Sequence, residues 1–411
     1  MVLKKKNKNN ILKSAFIILI LSNSANFTNF IFNILLSKYL QANEYSLFTS
    51  LSSFYIALLS PFSGLIFLIQ LKINKFKNDE IQLNIFILNI SKLFLFISIV
   101  FLFLFFIFNN WIISSFKTTY LIIFTFYLFF AISLFSVIPI SILNSFKKYY
   151  MPHYSNLIND VLRLIILSSV IFITSLKFNI FLGAVLATFC ALFGHFIINS
   201  FNAKYFINIK FNGFFNNFNL SKIIDSPLIK TFLYMCALSI LMNLDLVFSR
   251  IFLSEIFSAN YNFASFISKS IYFLPSVLFS FIFNEQINKN SKSIQGVFLI
   301  LLFNLFGCII VLLIFNHFVD FFYDGEFDYA KQPIKFLAPS MVLLSIITLY
   351  FNKLLSKNNF SFLIFMITAS MIFIILSIFY HSNINSLAIN LLISIAILYI
   401  HPLKTYAFKS R

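Results

Sequence analysis

Asp245 and Lys269 are the residues whose chemistry and spacing most constrain this protein. Each sits well inside an apolar run, the first from about Lys230 to Leu253 and the second from about Tyr261 to Phe283. Both runs can cross a hydrocarbon core of about 30 Å, which takes roughly 20 helical residues. If they form an antiparallel hairpin about the turn Ser254 to Asn260, the two charges lie at nearly the same depth. An intramembrane charge costs on the order of 3 kcal/mol on insertion scales, so it is normally paired or faces a wet cavity. The pair is therefore either a structural tie or part of a transport site. Arg250, nearer the helix end, is expected to snorkel to the interface.

Other polar groups lie within apolar runs. Asn23, Asn26, Asn29 and Asn33 fall within an arc of about 120° on one helix and line one face of it. Their amides can bind sugar hydroxyls or join helices together. Asp160 and Arg163 stand one helical turn apart, close enough to pair. Lys92 has no acid near it in sequence and suits either a substrate diphosphate or snorkelling to the inner surface. His195 is either a proton relay or a hydrogen-bonded core residue. Asp324, Glu326 and Asp328 cluster in one loop, but without calcium-loop spacing they are expected to be a solvated surface.

These groups are set in an unusually apolar chain. Of its 411 residues, 60% are hydrophobic and 10% charged, and the mean hydropathy is +0.93. That composition specifies an all-α polytopic membrane protein. The formal charge of +18 does not mark a nucleic-acid binder, because the basic residues punctuate apolar runs instead of forming one patch. Cys190, Cys236 and Cys308 each fall inside a run, without the spacing of a disulfide framework or a metal site. The basic segment Met1 to Lys13 precedes a run too long and too rich in asparagine for an ordinary signal peptide, and is expected to lead an uncleaved first helix.

Polar breaks divide the chain into twelve expected helices, near 13 to 36, 45 to 70, 82 to 108, 119 to 143, 154 to 176, 179 to 201, 230 to 253, 261 to 284, 295 to 322, 334 to 352, 359 to 380 and 385 to 402. Alternating sides, twenty-one of the thirty basic residues fall on the side of the amino terminus, five on the other, and four within spans. The positive-inside rule then places both termini in the cytoplasm. The longest break, 202 to 229, separates an amino-terminal six-helix lobe, 1 to 201, from a carboxy-terminal one, 230 to 411. Each lobe opens with a similar turn and helix, around Tyr45 and around Tyr261, with Pro61 and Pro275 following deep in the helix. Six helices per repeat predict two lobes related by a pseudo-two-fold axis along the membrane normal. Pro61, Pro139 and Pro275 are expected kink points.

The chain carries no phosphate loop, HExxH or GxSxG motif, and its outer loops are short, so an enzyme is not expected and no cofactor is implied. Two stretches instead carry a resemblance: LLSKYLQANEYSLFTSLSSF, residues 35 to 54, and NLDLVFSRIFLSEIFSANYNFASFISKSIYFLPSVLFSFIFNE, residues 243 to 285. They resemble the polysaccharide transport branch of the multidrug/oligosaccharidyl-lipid/polysaccharide exporter superfamily, which includes O-antigen flippases. The first lacks that family's Leu-Gly-Pro-like start, and Asn260 stands where a Gly commonly precedes the Tyr. The resemblance implies a two-lobed, alternating-access flippase of the bacterial inner membrane that moves a polyprenyl-diphosphate-linked oligosaccharide outward for surface polysaccharide biosynthesis. The substrate-binding residues expected on this reading are Lys92, Arg163, Asp245, Lys269 and Asn26. Its partners would be the lipid-linked oligosaccharide and membrane lipids, with a coupling ion, proton or sodium, left open and no nucleic acid. An ion-coupled multidrug or metabolite exporter of the same superfamily is the alternative; a carboxylate in the first helices, common in such exporters, is absent here. A polymerase or ligase acting on the same lipid-linked sugars would call for a larger outer loop.

Overall fold

The apolar runs become helices, and no strand occurs among the described residues. The computed structural model describes residues 2–76, 79–173, 179–206, 226–288, 294–355 and 359–402. Most of the expected break at 202 to 229 lies outside them. The order is α1 (Val2–Tyr39), α2 (Ala42–Ser63), α3 (Leu65–Phe76), α4 (Glu80–Phe116), α5 (Tyr120–Ser145), α6 (Tyr150–Ile173), α7 (Ile180–Lys204), α8 (Ser226–Phe252), α9 (Glu255–Asn288), α10 (Ile294–Tyr323), α11 (Ile334–Leu355), α12 (Leu363–Phe379) and α13 (Ile384–Ile397). Among the described residues nine helices are long and apolar enough to cross a membrane, and α12 is a shorter apolar helix of 17 residues. The protein is a multi-pass membrane protein.

Helix ends follow local chemistry. Asp79 caps α4 by accepting from the Gln82 N–H at 3.0 Å, and Asn383 opens α13 in a reciprocal capping box with Ser386; each satisfies amide donors that a helix start leaves unpaired. The expected helix 45 to 70 is instead two, α2 and α3, divided at Gly64. Pro61 has no N–H to give to the helix ladder, and the Gly64 N–H still reaches the Ser60 carbonyl, at 3.3 Å. A Cβ at Gly64 would lie 2.5 Å from Met235 Cγ, so only glycine lets the chain pass so close. α5 runs through Pro139, and α9 runs through position 275. The turn expected at Ser254 to Asn260 shrinks to Leu253 and Ser254, because α9 already begins at Glu255.

The contacts divide the chain into two compact units that do not follow one continuous cut. One comprises residues 1–39 and 58–235, the other 40–57 and 236–411. In the first unit α1 packs on α6, α6 on α7, and α5 on α7, with Phe62, Phe94 and Phe130 meeting edge to face within 6.4 Å. In the second, α11 packs on α9 and α13, and Phe263 is enclosed by Phe315, Tyr323 and Phe327, the last at 4.5 Å.

The α6–α7 contact depends on one small residue. A Cβ at Gly183 would stand 2.5 Å from Val170 Cγ1 and 3.1 Å from Val170 Cβ, and a β-branched side chain in a helix has little rotamer freedom with which to yield. Gly183→Ala is expected to separate the two helices at a cost of about 1–3 kcal/mol, read as a lower melting midpoint of the purified protein. Adding Val170→Ala should recover most of it.

Candidate functional site

In the second unit the expected ion pair is present. Lys269 Nζ donates to Asp245 Oδ1 at 2.9 Å, and Ser265 Oγ donates to the other carboxylate oxygen at 2.6 Å. Both charged side chains are buried, Asp245 completely. Ser265 sits one turn before Lys269 on α9, so one helix face supplies both donors. Each carboxylate oxygen thus accepts a bond, the condition under which a buried pair can repay its desolvation.

A second polar cluster lies beyond this pair, toward the α8–α9 turn. Arg250 does not snorkel as expected: only 2% exposed, its Nη1 donates to Ser46 Oγ at 2.7 Å and its Nη2 to Asn43 Oδ1 at 2.6 Å. The first half of α2 covers it and supplies acceptors, which removes the reason to reach for water. Asn262 is the hub of the cluster. Its Nδ2 lies 2.8 Å from Thr49 Oγ1, 3.0 Å from Ser50 Oγ and 3.3 Å from the Ser46 carbonyl, and its Oδ1 accepts from Ser249 Oγ at 2.6 Å. Tyr45 precedes Ser46 and Tyr261 precedes Asn262; both tyrosines are fully buried, and neither hydroxyl has a hydrogen-bond partner among the described residues. Asn262, Ser46, Thr49 and Ser50 were not singled out from the sequence. The signal was there: the repeat that aligns Tyr45 with Tyr261 aligns Ser46 with Asn262.

In the first unit the asparagine face of α1 is turned toward α6. Arg163 donates to Asn29 Oδ1, its guanidinium lies 4.1 Å from the centre of the Phe32 ring, and Asp160 is 3.7 Å away. Asn33 Nδ2 bonds the Asn29 carbonyl at 2.9 Å. Asn26 is half-buried on the same helix, and the Asn23 side-chain oxygen is buried without a partner. Lys92 is half-buried on α4, a helix that packs on α5 and α3. The structure therefore joins Asp245 to Lys269 and places Arg163 against the face that carries Asn26, while Lys92 belongs to a different helix packing. His195 is buried, with Ser155 Oγ 3.0 Å from its Nδ1 and Asn199 Nδ2 3.1 Å from its Nε2, the setting of a held core histidine.

Asp324, Glu326 and Asp328 are exposed, as expected of a solvated loop, and Asp328 also enters an ion pair. Lys331 bridges Asp320 and Asp328, and the hydrogen bonds it donates to these carboxylates, that to Asp320 first, raise its pKa. No group of three potential metal ligands occurs among the described residues, and the three cysteines are free thiols.

No family profile and no curated protein matches the sequence. Solved structures do. The chain is similar to lipid II flippase MurJ in an inward closed conformation, with a TM-score of 0.68 at 16% identity over 95% of this chain and 87% of that one. It is also similar to an inward-facing multidrug resistance MATE family transporter of the MOP superfamily, with a TM-score of 0.66 at 14% identity over 96% and 99%. The eukaryotic MATE transporter AtDTX14 gives 0.64 at 15% identity over 96% of each chain. The protein has the fold of these transporters across nearly its whole length.

Proposed function

We propose that this protein is a flippase that carries a polyprenyl-diphosphate-linked oligosaccharide from the inner to the outer leaflet of a bacterial cytoplasmic membrane by alternating access. The observation that carries the reading is charge and amide chemistry within the spans of a MOP-type transporter fold: Asp245 with Lys269, buried, in one unit, and Arg163 with the half-buried asparagine face of α1 in the other. In a helical membrane protein such groups mark solute pathways by default, and amides with guanidinium and ammonium groups suit sugar hydroxyls and a diphosphate. Lys92, Arg163, Asp245, Lys269 and Asn26 are the residues assigned to substrate. Two six-helix lobes, 1 to 201 and 230 to 411, with both termini cytoplasmic, complete the proposal, and a proton or sodium gradient is the energy source to test. Nothing in this reading requires an enzyme.

The test is reconstitution. Proteoliposomes loaded with a fluorescent polyprenyl-diphosphate oligosaccharide should expose label to an external quencher faster than protein-free liposomes. A rate equal to the protein-free control would overturn the proposal. The second reading, an ion-coupled exporter of drugs or metabolites, draws on the equally extensive likeness to MATE transporters. Efflux of cationic dyes driven by an imposed ion gradient, without glycolipid movement, would favour it.

A further inference from the structure

Among the described residues, the hydrogen bonds that fasten residues 43–57 of α2 to α8 and α9 have most of their donors on α8 and α9. On the α8–α9 side stand donors: Arg250 Nη1 and Nη2, Asn262 Nδ2, and Ser239 Oγ, which gives to the Ala57 carbonyl at 3.0 Å. On the α2 side stand oxygens: Asn43 Oδ1, Ser46 Oγ and carbonyl, Thr49 Oγ1 and Ser50 Oγ. A bond also runs the other way, from Ser50 Oγ to the Leu246 carbonyl at 2.8 Å. A guanidinium edge beside a carboxamide N–H₂ is the donor set that binds phosphate and sugar oxygens. The α2 segment supplies the oxygens that this donor set meets.

Two further observations bear on how this segment is held. Residues 40–57 pack with the second unit while the residues on either side of them, 39 and 58, belong to the first, and Pro61 and Gly64 weaken the helix just beyond. Tyr45 and Tyr261, the two residues next to the Ser46–Asn262 contact, keep fully buried hydroxyls without a partner. Such groups in a native protein call for an explanation, and a state in which they gain bonds supplies one.

We propose that Arg250 and Asn262 form a receptor for the phosphate-bearing headgroup of the transported lipid, and that residues 43–50 of α2 occupy it as an internal stand-in until they are displaced. The proposal rests on the flippase reading for the identity of the headgroup. It predicts competition: ligand affinity is reduced by the fraction of molecules whose site is already filled.

Farnesyl diphosphate in detergent micelles is the probe, with titration calorimetry as the readout. Asn43→Ala with Ser46→Ala removes stand-in acceptors and should tighten binding about tenfold, while Asn43→Asp adds a carboxylate to the stand-in and should weaken it. Arg250→Gln should abolish binding, and Arg250→Lys, which keeps charge but loses the two-pronged edge, should fall between. Competition by inorganic pyrophosphate would support recognition of the diphosphate itself; equal binding of farnesol would overturn it, since only the chain would then be recognised. Unchanged affinity in both Asn43 variants would overturn the stand-in. The Asn43→Asp arm does not depend on a variant with fewer bonds surviving purification. These outcomes are separable from the flippase reading, because glycolipid movement by the unaltered protein is a different measurement.

Discussion

Lys269→Met is expected to be among the most damaging single substitutions in this protein, lowering its stability by about 3–5 kcal/mol, the cost of leaving a buried charge uncompensated. Asp245 is completely buried, and without the ammonium at 2.9 Å the Ser265 hydroxyl would be its one remaining hydrogen-bond donor among the described residues. Asp245→Asn should harm the protein for the mirror-image reason, stranding the Lys269 ammonium. The double variant Asp245→Asn with Lys269→Met removes both charges and should recover most of the loss, since a neutral replacement of a buried pair is often tolerated. Thermal melting of the four proteins in one detergent gives the coupling directly. A double variant as unstable as the two singles added together would show that the charges do not act as a pair. The same double variant separates the two roles open to the pair: if it folds and still moves glycolipid at the normal rate, the pair is a structural tie; if it folds and does not, the pair belongs to the transport site.

Phe263→Ala is expected to cost about 3–5 kcal/mol. The ring is completely buried and packs against Phe315, Tyr323 and Phe327, the nearest centroid at 4.5 Å. Inside a membrane protein the association of helices relies on such packing, because lipid tails solvate apolar side chains as well as a helix does. Phe263 also follows Asn262 directly, so the cavity opens beside the hub of the polar cluster. The expected result is a lower melting midpoint together with a weaker hold on α2, read as faster thiol labelling of a cysteine placed at Thr49 than in the Phe263 parent. Phe263→Leu, which fills more of the space, should show a smaller change in both. Unaltered labelling would mean that the aromatic cluster and the α2 contact are energetically separate.

What was legible in the sequence was what chain-local chemistry decides. Apolar runs must become helices in a membrane because their own backbone groups have no water to bond, and so the helix set, with one extra break at Gly64, could be read in advance. The matched depth of Asp245 and Lys269 was legible for the same reason, because two antiparallel helices joined by a short turn place equal offsets side by side. The pairing of Asp160 with Arg163 needs only one helical turn.

Tertiary structure alone decided where those helices find partners. Arg250 reads as a snorkelling residue until the first half of α2, some two hundred positions away, is found lying over it with Ser46 and Asn43. Asn262 looks like one more asparagine in a chain rich in them, and becomes a hub only because Thr49, Ser50 and Ser249 converge on it. The division of α2 between two compact units is likewise invisible along the chain, where the helix is continuous through Ala57 and Leu58. Depth in the membrane follows from position along one helix, which a sequence records; which side chains meet across helices depends on packing between distant segments, which it does not.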